Sequence, residues 1–89
     1  MNLPPRIKIV TSEACSFCVR AKRLLAAKGI DFEEVHLARH DMAARVELVK
    51  LTGRYTVPQI FIDELSIGGY DDLKALDDAG RLDPMIGVA

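Results

Sequence analysis

The chain has 89 residues, 49% apolar and 28% charged, the size and composition of one folded domain and too little for a cofactor domain plus a substrate domain. Twelve basic against thirteen acidic residues leave a net charge of −1, with no basic run at either end, which excludes the footprint of a dedicated nucleic-acid binder or a polybasic membrane anchor. The longest unbroken apolar stretch, Leu24 to Ala27, is far below the roughly 18 residues that span a bilayer.

The opening Met1-Asn2-Leu3-Pro4-Pro5-Arg6 has neither an apolar signal region nor a small-residue cleavage site, so a cytoplasmic location is expected. Ile7 to Thr11, rich in β-branched residues, predicts a buried first strand. Ser16 to Lys28 holds strong helix formers without Gly or Pro, with Val19, Ala21, Leu24, Leu25 and Ala27 as its apolar face and Gly29 as its stop. Ile30 to Leu37 reads as a second strand, and Asp41 as the cap of a helix running through Met42, Val46, Val49 and Leu51 to Gly53. Gln59–Ile62 and Leu65–Ile67, split by Asp63-Glu64, predict a hairpin. A third helix from about Asp71 carries Leu73 and Leu76 and ends at Gly80, and Asp83-Pro84 can start a final turn. The order β-α-β-α-β-β-α predicts a mixed α/β fold, with a parallel pair joined through the first helix. Without internal repeat, low-complexity tract or linker, residues 1–89 are expected to form a single domain.

Both cysteines fall in one Cys-x-x-Cys unit, Cys15 and Cys18. A disulfide closing so short a loop removes little chain entropy and makes a poor staple, so a chemical role is favoured over a structural one. Cys15 falls in the strand-to-helix turn and Cys18 in the first helical turn, on the same face. Unpaired amides and the positive end of the helix dipole stabilise a thiolate there, with a pKa in the range of about 3.5 to 7.5. Cys15 is then the nucleophile, and Cys18 the residue that resolves its mixed disulfide. A rival uses Cys15, Cys18, His36 and His40, spaced C-x2-C-x17-H-x3-H like a zinc finger. That spacing conflicts with the elements, because a zinc finger carries its histidines on the helix and here His36 sits in strand-like sequence. No metal is assigned, and both histidines read as surface residues.

Thr56-Val57-Pro58 precedes a strand, where proline cannot donate a ladder hydrogen bond; local sequence alone favours a trans bond. Gly68-Gly69-Tyr70-Asp71-Asp72 joins two glycines to a helix start whose amides could hold a carboxylate.

Cys15-Ser16-Phe17-Cys18-Val19-Arg20-Ala21-Lys22, Leu51-Thr52-Gly53, Thr56-Val57-Pro58-Gln59-Ile60-Phe61-Ile62 and Ile67-Gly68-Gly69-Tyr70-Asp71-Asp72-Leu73 together resemble the glutaredoxins. The resemblance implies a thioredoxin fold, a four-stranded mixed sheet flanked by helices, with Pro58 in cis facing the cysteines. It also implies a glutathione-dependent thiol-disulfide oxidoreductase, glutathione serving as reductant and glutathionylated or disulfide-containing proteins as partners, working as a monomer. By position, glutathione would lie along Phe17, Thr56, Val57, Pro58 and Gly69. Its γ-glutamyl end would meet Tyr70, Asp71 and Asp72, and Arg45 would stand near its glycine carboxylate.

Three departures from the family pattern are visible. Ser16-Phe17 replaces the common Pro-Tyr, Ser12 stands where a lysine is frequent, and Tyr55 where an arginine is frequent. The last two weaken electrostatic capture of an anionic tripeptide and leave Arg45 as the expected main cation. The non-proline Ser16 also keeps open a second reading, a dimer holding one [2Fe-2S] cluster through Cys15 of each chain and two glutathiones, with Cys18 weighing against it.

Overall fold

The computed structural model describes residues 4–87; residues 1–3 of the opening segment lie outside them. The element order is β1 (Ile7–Thr11), α1 (Ser16–Ala27), β2 (Glu33–His36), α2 (Met42–Thr52), β3 (Gln59–Ile62), β4 (Leu65–Gly68), α3 (Tyr70–Asp78) and α4 (Leu82–Met85). The strands form one sheet in the order β2-β1-β3-β4. β1 runs parallel to β2 and antiparallel to β3, and β3–β4 is an antiparallel hairpin.

Period-2 alternation sorts the sheet's side chains into two cores. Ile7 and Ile9 of β1 with Ile60 and Ile62 of β3 meet Ala21 and Leu25 of α1, Leu73 of α3, and Leu82 and Ile86. On the other face Val10 and Phe61 meet Leu37 and Leu48, with Ala44 and Val57 packed alongside. α1 and α3 thus cover one face and α2 the other. β1 and β3, covered on both faces, are the central strands, so the chain that leaves β1 emerges beside the chain that enters β3.

Some expectations shift. In α1 the buried stripe is Cys18, Ala21 and Leu25, and Val19 and Ala27 face outward, because at 100° per residue they lie off that stripe. β2 is only four residues long and exposed throughout; Ile30 gives its N–H to the Leu25 carbonyl at the end of α1 instead of to the sheet. α2 turns Leu48 inward and leaves Met42, Val46, Val49 and Leu51 exposed. The final turn is a short helix that begins at Leu82, one residue before Asp83.

Caps account for where the helices start and stop. Asp41 accepts from the Ala44 N–H at the head of α2, and Gly53, at φ +76°, closes it in the left-handed conformation glycine adopts without a Cβ clash. No helix among the described residues is long and apolar enough to cross a membrane.

Candidate active site

The loop leaving β1 sets Cys15 at the N-cap of α1 with extended backbone (φ −119°, ψ 101°), and the Cys18 N–H meets its sulfur at 3.1 Å. One of the unpaired amides of the first turn is therefore spent on Cys15, an arrangement that favours negative charge on this sulfur once it is a free thiolate. The two cysteines form a disulfide, with Cα atoms 5.2 Å apart. Their accessibility differs: Cys15 is half-buried and Cys18 only 2% exposed. The first cysteine is open to solvent and the second is covered.

Across from the cysteines the Val57–Pro58 peptide is cis, as the resemblance implies and against the preference of an isolated X-Pro bond. The Val57 carbonyl lies 3.7 Å from Cys15 Sγ. Gln59, fully buried at the start of β3, donates from Nε2 to the Thr56 carbonyl at 3.0 Å and holds the approach to this turn.

A groove of about 180 Å³ opens beside the disulfide. Phe17 and Tyr70 form its aromatic end, their ring centroids 6.1 Å apart, with the Arg20 guanidinium 5.3 Å from the Phe17 centroid. Thr56, Val57 and Pro58 make one wall, and Gly69, Asp71 and Asp72 the other. Asp72 Oδ2 accepts from the Gly69 N–H and from Arg54 Nη1, both at 2.9 Å. The Gly69 amide first, and Arg54 second, hold the Asp72 carboxyl below its ordinary value. Gly68, at φ +112°, is required here, because a Cβ would overlap the Asp72 carboxylate.

Eight of the nine residues expected along glutathione line this groove: Phe17, Thr56, Val57, Pro58, Gly69, Tyr70, Asp71 and Asp72. The ninth, Arg45, is not in its lining and donates from Nη1 to the Tyr55 carbonyl at 2.7 Å. Arg54, to which the sequence pattern did not point, does line it. A signal for it exists: this arginine stands directly before Tyr55, one position from where the family pattern places its own. Ser12, at the expected lysine position, donates its hydroxyl to Glu13 Oε2 at 3.2 Å.

The zinc-finger-like spacing does not become a cluster: His36 Nε2 lies 3.1 Å from Glu13 Oε2, and the described residues bring no three His, Cys, Asp or Glu side chains together as a metal site. A larger hollow of about 770 Å³ lies at the opposite end of β1, between Arg6, Asp31, Phe32 and Glu64. Its lining residues include no cysteine, so the thiol chemistry stays with the smaller groove.

Comparison with known proteins agrees with this geometry. The glutaredoxin family model matches residues 7–67. Glutaredoxin 3 of Escherichia coli (strain K12) is 51% identical over 80 residues, covering 90% of this chain and 95% of that protein. A glutaredoxin of Pseudomonas aeruginosa is 45% identical over 82 residues, covering 92% and 96%. Among solved structures, a buckwheat glutaredoxin–glutathione complex superposes with a TM-score of 0.87 at 27% identity, over 96% of this chain and 83% of that one. The glutaredoxin of Brucella melitensis superposes with a TM-score of 0.81 at 43% identity, over 93% and 89%. The chain therefore belongs to the glutaredoxin family and is a thiol-disulfide oxidoreductase whose redox centre is a pair of cysteines.

Proposed function

We propose that the protein uses glutathione to reduce protein–glutathione mixed disulfides and protein disulfides. The observation that carries this reading is the groove itself: its Val57 wall adjoins the accessible Cys15 sulfur, and it holds a pair of opposite charges, Arg54 and Asp72, at the head of α3. A γ-glutamyl end bears both an ammonium and a carboxylate. Asp72 faces the first, while Arg54 and the open amides at the start of α3 complement the second. The Val57 backbone pairs with the cysteinyl residue between them, and Phe17, Thr56, Pro58, Gly69 and Tyr70 wall the tripeptide in. The buckwheat relative, solved with glutathione, supports glutathione as the ligand.

Cys15 thiolate attacks the glutathione sulfur of a glutathionylated protein; the protein leaves as its thiolate and Cys15 is left in a mixed disulfide. A second glutathione thiolate attacks that glutathione sulfur, giving oxidised glutathione and free Cys15. Against a protein disulfide, Cys15 attacks one sulfur and Cys18 then attacks Cys15, releasing the reduced protein and closing the Cys15–Cys18 bond. Glutathione reopens that bond in two exchanges.

The deciding experiment compares turnover of a small glutathione mixed disulfide driven by glutathione and glutathione reductase with turnover driven by thioredoxin reductase. Preference for the glutathione system is expected. Preference for thioredoxin reductase would overturn this reading.

A further inference from the structure

Glu13 lies two residues before Cys15 in the loop between β1 and α1, half-exposed, and no step of the chemistry above uses it. Its carboxylate nevertheless gathers donors from three places. The Arg39 N–H reaches Oε1 at 2.8 Å, while Oε2 lies 3.1 Å from His36 Nε2 and 3.2 Å from the Ser12 hydroxyl. Arg39 Nη2 returns to the Glu13 carbonyl at 3.5 Å. One side chain thus ties the loop to the end of β2 and to the segment beyond it.

We propose that Glu13 is a positioning residue: it pins the loop that delivers Cys15 and so keeps the sulfur in register with the first amides of α1. What needs pinning is next in sequence. Ala14 sits at φ +53°, in the left-handed region that a residue with a Cβ occupies only when its surroundings impose it. Cys15 follows as the N-cap, and its bond from the Cys18 N–H depends on the angle at which the chain enters the helix. The Arg39 amide, the largest influence on Glu13, holds its carboxyl at about 2, so the pin stays ionised wherever a thiolate works. The inference rests on Cys15 as the nucleophile and does not require glutathione as the substrate.

Charge and position act in opposite directions here, which makes the proposal testable. As a mere negative charge near Cys15, Glu13 disfavours the thiolate, and removing it speeds alkylation. As a pin, it sustains the thiolate, and removing it slows alkylation. The reduced protein is treated with iodoacetamide, a neutral reagent, at neutral pH, with mass spectrometry mapping the adduct. Glu13→Ala is expected to slow modification of Cys15 by about tenfold, within the range that small misplacements of a reacting group cost. Glu13→Gln keeps an acceptor for the Arg39 N–H without the charge and is expected to remain within about twofold of the wild type. If Glu13→Ala reacts as fast as the wild type or faster, or if Glu13→Gln slows as much as Glu13→Ala, the proposal is wrong. Should Glu13→Ala lack a cooperative thermal transition, His36→Ala takes its place. That variant removes one of the three partners and is expected to slow alkylation in the same direction; an unchanged rate overturns the proposal. An adduct on Cys18 in the wild type would instead sink the nucleophile assignment, independently of the pin.

Discussion

Arg54 and Asp72 face each other across the groove at 2.9 Å, and the same Asp72 oxygen receives the Gly69 N–H that opens α3. The second bond is what makes the first useful. A carboxylate on a free rotor would follow its cation anywhere, whereas this one is fixed to the helix end and presents its charge in one direction. Both side chains remain substantially exposed, Arg54 at 53% and Asp72 at 41%, so a ligand can reach either.

Arg54→Ala and Asp72→Ala should each raise the apparent KM for a glutathionylated substrate up to about fivefold, because an exposed ion pair is worth at most about 1 kcal/mol. The double variant should lose less than the product of the two, since each single change already breaks the shared pair. Arg45→Ala, which loses only the bond to the Tyr55 carbonyl, should stay within about twofold. Steady-state kinetics of the four proteins check this; an Arg45 effect larger than that of Arg54 would make Arg45 the main cation for the tripeptide and overturn the role given to Arg54.

Cys15→Ser should abolish thiol exchange of every kind, because it removes the reachable sulfur. Cys18→Ser removes the buried one and should spare deglutathionylation while ending reduction of protein disulfides. Incubating Cys18→Ser with oxidised glutathione should give one adduct by mass spectrometry, on Cys15. Persisting activity in Cys15→Ser would refute the division of labour.

Features written into contiguous residues are legible in the sequence. β1, the cysteine pair and the caps Asp41 and Gly53 depend on short-range chemistry, and they occur where the pattern puts them. Eight groove residues follow from motifs that each stay within a few positions. What escapes such patterns depends on the path of the chain in space. Arg54, not Arg45, borders the groove because of how the segment between α2 and Pro58 runs. The outward Met42, Val46 and Val49 of α2 show the same limit, since helical spacing groups these side chains without saying which face the sheet covers.

Glu13 should also leave a signature in acid. Its carboxyl is held at about 2, against 4.5 for an unperturbed glutamate, chiefly by the Arg39 N–H. A depressed folded-state pKa contributes stability that is present in full above about 4.5 and is lost as pH falls through about 2. Glu13→Gln cannot titrate there, and the other carboxylates are common to both proteins. The difference in urea midpoint between oxidised wild type and Glu13→Gln should therefore shrink as pH falls below about 4.5 and vanish near 2. A difference that does not vary with pH would mean that the carboxylate is not bonded in solution.

Ala14 carries the last prediction, because its φ of +53° is a conformation in which a Cβ costs roughly 1–2 kcal/mol. Glycine relieves that cost but gains freedom in the unfolded chain, which returns about 0.4–1 kcal/mol of it. Ala14→Gly should thus stabilise the protein by up to about 1 kcal/mol, a rise of roughly 4–8 °C in Tm for a domain of this size. Ala14→Val adds a β-branch to the same unfavourable backbone and should lower Tm by at least as much. Ala14 is exposed, so loss of packing contributes little to either change, and the order Gly above Ala above Val isolates the backbone. Thermal unfolding of the three oxidised proteins checks it. If glycine lowers Tm, the residue before Cys15 does not hold a left-handed conformation, and the loop that delivers the nucleophile is shaped differently from the one described.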